Sequence, residues 1–191
     1  MNSDDGSQRA PETSPPVALV AAGAPEGELL GNLLELYIHD LSPLFPRVEL
    51  GSNGRFGYPG LAPYLSGSDA HFAFIVRCDG RTAGFVLAHR GSPLVADPDV
   101  LDIAEFFVLR RFRASGVGRS AAHLLWDRVP GAWTVRAANR NRDAVSFWRA
   151  AVGSYTSGSA REYEHGAGSD LWTVFSFDSP APPSVRAQSS P

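Results

Sequence analysis

The chain has 191 residues, 43% of them hydrophobic, and a formal net charge of −3. This length suits one domain with a substantial core, and no apolar run approaches the roughly 20 residues that span a bilayer. The single cysteine, Cys78, excludes an intramolecular disulfide and a cysteine-built zinc site, and the charge argues against a nucleic-acid-binding domain. The polar start is unlike a signal peptide, so we expect a cytoplasmic protein without metal, nucleic-acid or membrane partners.

The predicted elements begin after a polar segment. Residues 1–16, like residues 180–191 at the other end, are too poor in large apolar groups to fold, so we predict disordered tails around one domain at 17–179. Residues 17–20 predict a short strand. Apolar residues at helical spacing then predict an amphipathic helix of about three turns: Leu29, Leu30, Leu33, Leu34, Tyr37, Ile38 and Leu41.

The segment 42–68 is dense in glycine, proline and aromatic residues. An irregular apolar stretch of this length inside a compact domain indicates a binding loop rather than a linker. It precedes a predicted hairpin of two strands joined at Asp79-Gly80. The later elements are predicted as strands at 102–111, 133–137, 154–163 and 171–177, with helices at 116–129 (Leu124 on its buried face) and 141–153.

The most informative segment, 106–119, joins an apolar strand to a helix through a loop that carries Gly116 and Gly118. Both glycines remove a side chain where a helix start exposes unpaired N–H groups, at the positive end of the helix dipole. The segment therefore predicts an anion site, flanked by Arg113 and Arg119. A dinucleotide fold would need earlier glycines and a third one, and a nucleotide P-loop would need a lysine, which the chain lacks. A merely structural loop is the remaining alternative.

The pattern Arg113-x-x-Gly116-x-Gly118 resembles the R/Q-x-x-G-x-G/A signature of the GNAT superfamily of N-acetyltransferases. Residues 141–148 (NRDAVSFW) resemble the N-x-x-A-x-x-F-Y helix of the same family, and residues 105–108 (EFFV) are similar to the matching strand of spermidine/spermine and thialysine acetyltransferases. The resemblance covers about residues 70–178. It implies an α+β fold with three layers, α/β/α, around a mixed, mostly antiparallel sheet.

The resemblance also implies acetyl-CoA as co-substrate and assigns residues to it. Backbone groups of Phe106, Phe107 and Val108 would bind the pantetheine arm, and Asn141 would contact the arm from the other side. The pyrophosphate would be held by the amides of Ala114, Ser115, Gly116, Val117, Gly118 and Arg119, with Arg113 beside them.

Trp148 stands where many relatives have a tyrosine that protonates the departing CoA thiolate. An indole N–H donates hydrogen bonds but is no useful acid. The general acid is therefore unassigned from the sequence, with Tyr37 and Tyr155 as candidates. Simple core packing is the alternative for Trp148.

Acetyl transfer to an amine needs a neutral nucleophile, and deprotonating an alkyl amine at neutral pH costs about 4–5 kcal/mol. A carboxylate near the acetyl group would accept the proton. The third strand carries two acids, Glu105 and Asp102, at positions similar to acidic positions of diamine and histone-type acetyltransferases, respectively. We prefer Glu105, which directly precedes the family-like FFV stretch; pairing with a nearby arginine is the alternative for each.

We therefore expect an enzyme that moves acetyl from acetyl-CoA to a primary amine of a small molecule. The candidate substrate wall is the aromatic loop together with Tyr37, His39, Asp40 and Phe45. A protein or peptide amine, a CoA-binding regulatory module without catalysis, and a dinucleotide-binding protein are the alternatives. A homodimer is left open.

Overall fold

The computed structural model describes residues 16–180, so the predicted tails lie outside the described residues except for Pro16 and Pro180. The predicted order of strands and helices is confirmed, with one short helix added inside the loop 42–68. In chain order the elements are β1 (Val17–Ala21), α1 (Gly27–Leu41), α2 (Ala62–Leu65), β2 (His71–Cys78), β3 (Arg81–Arg90), β4 (Leu101–Val108), α3 (Val117–Arg128), β5 (Gly131–Ala138), α4 (Arg142–Tyr155), β6 (Arg161–His165) and β7 (Trp172–Ser179).

The strands form one sheet in the order β1-β2-β3-β4-β5-β7-β6. Every neighbouring pair is antiparallel except β4 and β5, which run parallel. These two strands pair only at Leu101–Trp133 and Asp102–Thr134, although β4 continues to Val108 and β5 to Ala138. The expected mixed, mostly antiparallel sheet is thus confirmed, with an opening at its only parallel junction among the described strands.

Helices cover both faces of the sheet, which confirms the three layers. On one face α3 and α4 pack over the larger core, which includes the fully buried Trp126 and Trp133. On the other face α1 and α2 pack over a smaller core, to which α1 contributes Leu30, Leu33 and Leu34. The spacing of these three leucines is that of one helix face, so the apolar periodicity predicted this packing correctly.

Two local predictions about the helices are wrong. Leu124 is 37% exposed, because α3 is turned so that Ala122 and the large Trp126 face the core instead. Helix α4 continues through Gly153 to Tyr155 and ends where Ser157 and Gly158 take positive φ values of 52° and 81°. Strand β6 consequently begins only at Arg161 rather than near 154.

The tight turns follow the sequence closely. Asp79 and Gly80 both have positive φ values, 50° and 73°, as the predicted two-residue hairpin requires. Asn141 caps α4, its side-chain oxygen accepting a hydrogen bond from the Ala144 amide at 3.1 Å. Strand β4 ends at Val108 rather than 111, because Arg110–Phe112 form one turn of 3₁₀ helix.

Gly84 on β3 is required for the approach of β4. A Cβ atom at this position would overlap the carbonyl oxygen of Phe107, on the strand that borders the opening. We expect Gly84→Ala to lower the free energy of unfolding by roughly 1–3 kcal/mol, the usual cost of an overpacked site. Denaturant unfolding of the variant measures this loss.

Gly153→Ala is the matched control, since a Cβ atom there meets no other atom within 4 Å and the residue lies inside α4. Its helix propensity should raise stability by about 1 kcal/mol. Equal effects of the two substitutions would contradict the close approach of β3 and β4 at Gly84.

Candidate functional site

The opening between β4 and β5 leaves backbone groups of the sheet without strand partners. From Ile103 onwards, the edge of β4 that faces β5 has no pairing residue on β5, whereas its other edge stays paired with β3 up to Val108. Such an edge can hydrogen-bond an extended ligand with amide groups, in the way that a strand is added to a sheet. Phe106, Phe107 and Val108, expected to line the coenzyme arm, lie along this part of β4.

A β-bulge re-aims the side chains of β4 just where the opening begins. Leu87 pairs with Glu105 and Ala88 pairs with Ile103, so Ala104 is an extra residue without a partner. Asp102 and Glu105 are three residues apart and would lie on opposite faces of a regular strand. The bulge brings both carboxylates to the face that α1 and α2 cover.

Glu105 is partly buried at the opening and has tyrosines as neighbours. The hydroxyl of Tyr58 donates a hydrogen bond to Oε1 of Glu105 at 3.0 Å. Burial raises the pKa of Glu105, although hydrogen bonds from Tyr37 and Tyr58 and the positive charge of Arg136 lower it in part. Burial and the adjacent carboxylate raise the pKa values of both tyrosines, so their hydroxyls stay protonated at neutral pH. A half-buried carboxylate of raised pKa next to an open cleft is suited to accept a proton.

Asp102 lies deeper than Glu105 and is fully buried. Its Oδ2 atom accepts hydrogen bonds from Thr134 Oγ1 at 2.7 Å and from Ser92 Oγ at 3.0 Å. Its Oδ1 atom lies 3.4 Å from Nε of Arg136. The arginine pairing that the sequence left as an alternative is therefore present for Asp102, and it offsets the cost of burying a carboxylate.

Two histidines, on β2 and β3, lie on the same face of the sheet as Asp102. His89 lies opposite Asp102 in the sheet register, and His71 lies opposite His89. The hydroxyl of Tyr64 is 3.0 Å from Nδ1 of His89, and its ring is 5.0 Å from the ring of His71. Burial lowers the pKa of His89, which is therefore neutral at neutral pH.

The loop before α3 carries unpaired backbone amides, as the two glycines predict. None of the six amides from 114 to 119 donates a hydrogen bond to another described residue, whereas the Ser120 amide bonds Gly116 O at 3.0 Å. Gly116 has φ 84° and Ala114 has φ 59°, so the loop needs left-handed backbone at both positions. Six free N–H groups at the start of a 12-residue helix can bind an anion.

Residues 34–153 match the sequence profile of the acetyltransferase (GNAT) family. The chain belongs to this family. The match begins inside α1, so it includes residues before the stretch 70–178 on which the motif resemblance rests.

Solved GNAT structures share the fold. An acetyltransferase from Thermus thermophilus aligns with a TM-score of 0.57 and 17% identity, over 84% of this chain and 97% of its own. Spermidine N-acetyltransferase from Vibrio cholerae, in complex with CoA and spermine, aligns with a TM-score of 0.57 and 12% identity, over 85% and 95%. An aminoglycoside acetyltransferase in complex with coenzyme A aligns with a TM-score of 0.57 and 13% identity, over 83% and 94%. A comparison with curated proteins gave no match.

Arg113, the first residue of the GNAT signature, hydrogen-bonds the end of β4 and the end of α1. Its Nε donates to the carbonyl oxygen of Val108 at 2.7 Å and its Nη2 to Asp40 at 2.6 Å. Asp40 also accepts from Arg110 at 2.8 Å, so this carboxylate, expected on the substrate wall, ties α1 to the loop after β4. Arg119 is exposed at the helix start and makes no ion pair with the described residues.

On the side of α4, aromatic rings line the opening. Trp148 is buried and lies 4.9 Å from the ring of Phe106 and 4.8 Å from that of Phe147, in the position where many GNAT relatives have a tyrosine. Gly118 allows a close contact here, because a Cβ atom would lie 3.0 Å from the ring of Phe147. Its missing side chain thus serves the contact between α3 and α4 as well as the amide cluster.

The other candidates for the substrate wall and the general acid are spread out. Tyr37 is a neighbour of Glu105; burial and then that carboxylate raise the pKa of its hydroxyl. His39 packs on Phe56 at a ring distance of 6.3 Å, and Phe45 lies under the guanidinium of Arg140 at 5.1 Å. Tyr155 donates to Asp127 at the opposite end of α4 from Asn141, away from the opening.

Sequence reasoning missed His71, His89 and Arg136, which only the strand register brings to the site. Tyr58 and Tyr64 lie in the aromatic loop that the sequence singled out.

No group of three or more His, Cys, Asp or Glu side chains within residues 16–180 is arranged to hold a metal ion. Each helix in this range is too short or too polar to cross a bilayer.

Because burial raises the pKa of Glu105, this ionised carboxylate weakens the fold. The penalty is absent below the unfolded pKa of about 4.5, grows as pH rises from there to the raised folded pKa, and is fully present above that folded value. We therefore expect Glu105→Gln to melt above the parent at pH 7, with the two melting curves converging below about pH 4.5. Thermal denaturation over a pH series measures the difference.

Asp102→Asn is the control of opposite sign. It would leave the partly buried guanidinium of Arg136 without its counter-charge, so we expect a lower melting temperature at pH 7. A parent that is more stable than Glu105→Gln at pH 7 would contradict the burial argument.

Proposed function

We propose that this GNAT protein transfers the acetyl group of acetyl-CoA to a primary amine of a small molecule, with Glu105 as the general base. The observation that carries the proposal is the placement of Glu105 at the start of the β4–β5 opening, on the same continuous segment as the free amides of 114–119. An extended thioester along β4 would have its acyl end near the carboxylate and its pyrophosphate end at the helix start.

The coenzyme assignment draws on three features of the chain. The unpaired edge of β4 at 106–108 suits the amides of the pantetheine arm, and the amides 114–119 suit the pyrophosphate. Asn141 lies between β5 and α4 on the other side of the opening, and its side chain caps α4. The Vibrio cholerae spermidine acetyltransferase and the aminoglycoside acetyltransferase, which share the fold, are both in complex with CoA.

Glu105 would supply the proton transfer that amine acetylation needs. The acceptor arrives mainly as an ammonium ion, and Glu105 takes one of its protons, so that a neutral nitrogen attacks the thioester carbonyl carbon. The new N–C bond forms, the C–S bond breaks and the sulfur leaves as a thiolate, while the second proton of the nitrogen passes to solvent. The hydrogen bond from Tyr58 holds the carboxylate in place.

No tyrosine at the position of Trp148 is required for the departure of the thiolate. A thiol of pKa near 8.5 leaves unprotonated at neutral pH at a cost of only about 2 kcal/mol. Trp148 instead packs against Phe106 and closes the α4 side of the opening. We assign Asp102 to the support of Thr134 and Arg136 rather than to proton transfer, because it is fully buried.

Loss of the carboxylate should abolish most turnover. Glu105→Gln keeps the shape and the bond from Tyr58 but cannot accept a proton, so we expect kcat to fall by about 10²–10⁴ with unchanged affinity for acetyl-CoA. The deficit should shrink as pH approaches the pKa of the amine, because solvent then provides the neutral nucleophile. Thiol release with an amine panel, measured from pH 6 to 10, tests this.

Two results would count against this mechanism. Parental turnover in Glu105→Gln would remove Glu105 from proton transfer. Tight acetyl-CoA binding by the parent with no thiol release for any amine or peptide would favour a CoA-binding module, and release with peptides alone would favour a protein acceptor.

The anion site is tested by a charge reversal at an exposed residue. Arg119→Glu places a negative charge at the start of α3, where it favours the helix but repels pyrophosphate. We expect the affinity for acetyl-CoA to fall about tenfold or more, so that about half or more of the stabilisation of about 2.7 kcal/mol at 100-fold excess over the parental Kd is lost. Thermal shift with acetyl-CoA measures it.

Arg161→Glu, on the exposed edge strand β6, changes the net charge equally and is the control. Equal shifts in the two variants would show that the amides at 114–119 do not hold the coenzyme.

A further inference from the structure

We propose that Arg136 binds a carboxylate of the acceptor, so that the substrate is a primary amine with a free carboxylate, as in an amino acid. This inference rests on the proposed function and names the substrate class of the same site. It follows from the position of Arg136, from its unused hydrogen-bond donors and from the charges around it.

Arg136 on β5 and Glu105 on β4 face the same side of the sheet and border the opening from opposite sides. Thr134, two residues earlier on β5, is the last residue that pairs with β4, and its hydroxyl contacts Asp102 on the face covered by α1. Side chains alternate along a strand, so Arg136 lies on that face too. The bulge at Ala104 brings Glu105 there from β4. A ligand in the opening would therefore lie between a carboxylate and a guanidinium.

The guanidinium of Arg136 is held in place but keeps free donors. It lies over the ring of Trp172 at 5.4 Å, and its Nε is 3.4 Å from Asp102 Oδ1. Arg136 donates no hydrogen bond to residues 16–180. Of its three nitrogens, only Nε is both buried and without a hydrogen-bond partner. The two Nη atoms are thus accessible, and the side chain is 25% exposed.

An arginine that served only to neutralise Asp102 would be expected to meet its carboxylate with two parallel hydrogen bonds. Asp102 instead uses Oδ2 for the hydroxyls of Ser92 and Thr134, and Oδ1 meets only the inner edge of the guanidinium. The outer edge presents two parallel N–H groups, the geometry that binds a carboxylate in a bidentate manner.

The charge balance selects the class of acceptor. Asp102 already compensates part of the positive charge of Arg136, so a singly charged carboxylate fits better than a phosphate dianion, which Asp102 would repel. Glu105 attracts the ammonium group that is to be acetylated. A second ammonium group, as in a polyamine, would meet the guanidinium instead. The site therefore favours a zwitterionic acceptor over a polycation.

The test compares acceptors with and without a carboxylate. Free L-amino acids, the corresponding amino-acid amides and spermidine are assayed by thiol release with the full chain and acetyl-CoA. We expect the parent to prefer each acid over its amide by about 10- to 100-fold in kcat/KM, the value of a charged hydrogen-bonded contact, mostly through KM. In Arg136→Gln the ratio of acid to amide should fall towards one.

Arg136→Gln leaves the buried Asp102 unpaired and can weaken the fold, so a second variant is needed. The double substitution Asp102→Asn/Arg136→Gln removes both charges together, and a retained thermal shift with acetyl-CoA shows that it is folded. It should lose the preference for acids to the same extent. Arg136→Lys keeps the positive charge without the two parallel N–H groups of the guanidinium, so it should retain part of the preference for acids.

Three outcomes overturn the inference. Equal losses for acids and amides in both variants would make Arg136 a counter-ion of Asp102 only. Acetylation of spermidine or the amides as fast as the acids would remove the carboxylate requirement while the proposed function stands. The absence of thiol release with every acceptor would refute the proposed function and this inference with it.

Discussion

The separation of β4 from β5 is the constraint on which the rest of the structure depends. After two pairs the strands diverge, and each leaves backbone N–H and C=O groups without sheet partners. Unpaired backbone in a sheet interior is costly unless water or a ligand satisfies it. The fold keeps both strands extended all the same, because β3 supports β4 along its whole length and β7 supports all eight residues of β5. The opening is therefore a rigid feature of the sheet rather than a loop.

The groups proposed to bind the coenzyme and the groups proposed to react lie on different faces of the sheet at this opening. The helix-start amides and the aromatic rings of Phe106, Phe147 and Trp148 lie towards α3 and α4. The titratable groups lie on the face of α1, because the bulge at Ala104 turns Glu105 away from the larger core. A single extra residue in β4 thus separates the proposed coenzyme side from the proposed acceptor side.

The loop 42–68 is held against α1 beside Glu105 by hydrogen bonds to a carboxylate of that helix. Glu35 accepts hydrogen bonds from the backbone amides of Phe56 and Gly57 at 2.8 and 3.0 Å. These bonds hold the loop against the helix, and the next residue, Tyr58, reaches Glu105. A long segment with only one short helix is in this way held in place, and the position of Glu105 is linked to α1.

The sequence by itself determined the features that depend on near neighbours along the chain. The free amides before α3 and the Asp79-Gly80 turn each arise within a few residues, so motif and composition were enough to predict them. The element order and three-layer architecture followed from periodicity and from the family resemblance. Glu105 stood out as an acid in an apolar strand.

Only the tertiary structure decided the surroundings of these groups. Tyr58 is 47 residues from Glu105, and Asp40 is 73 residues from Arg113. Arg136 and His89 reach the site through the register of β5 and β3, and the two acids share a face only because of a bulge. Strand register and bulges are set by the packing of the whole sheet, where one residue of slip moves every side chain to the other face. No local pattern in the chain encodes that choice.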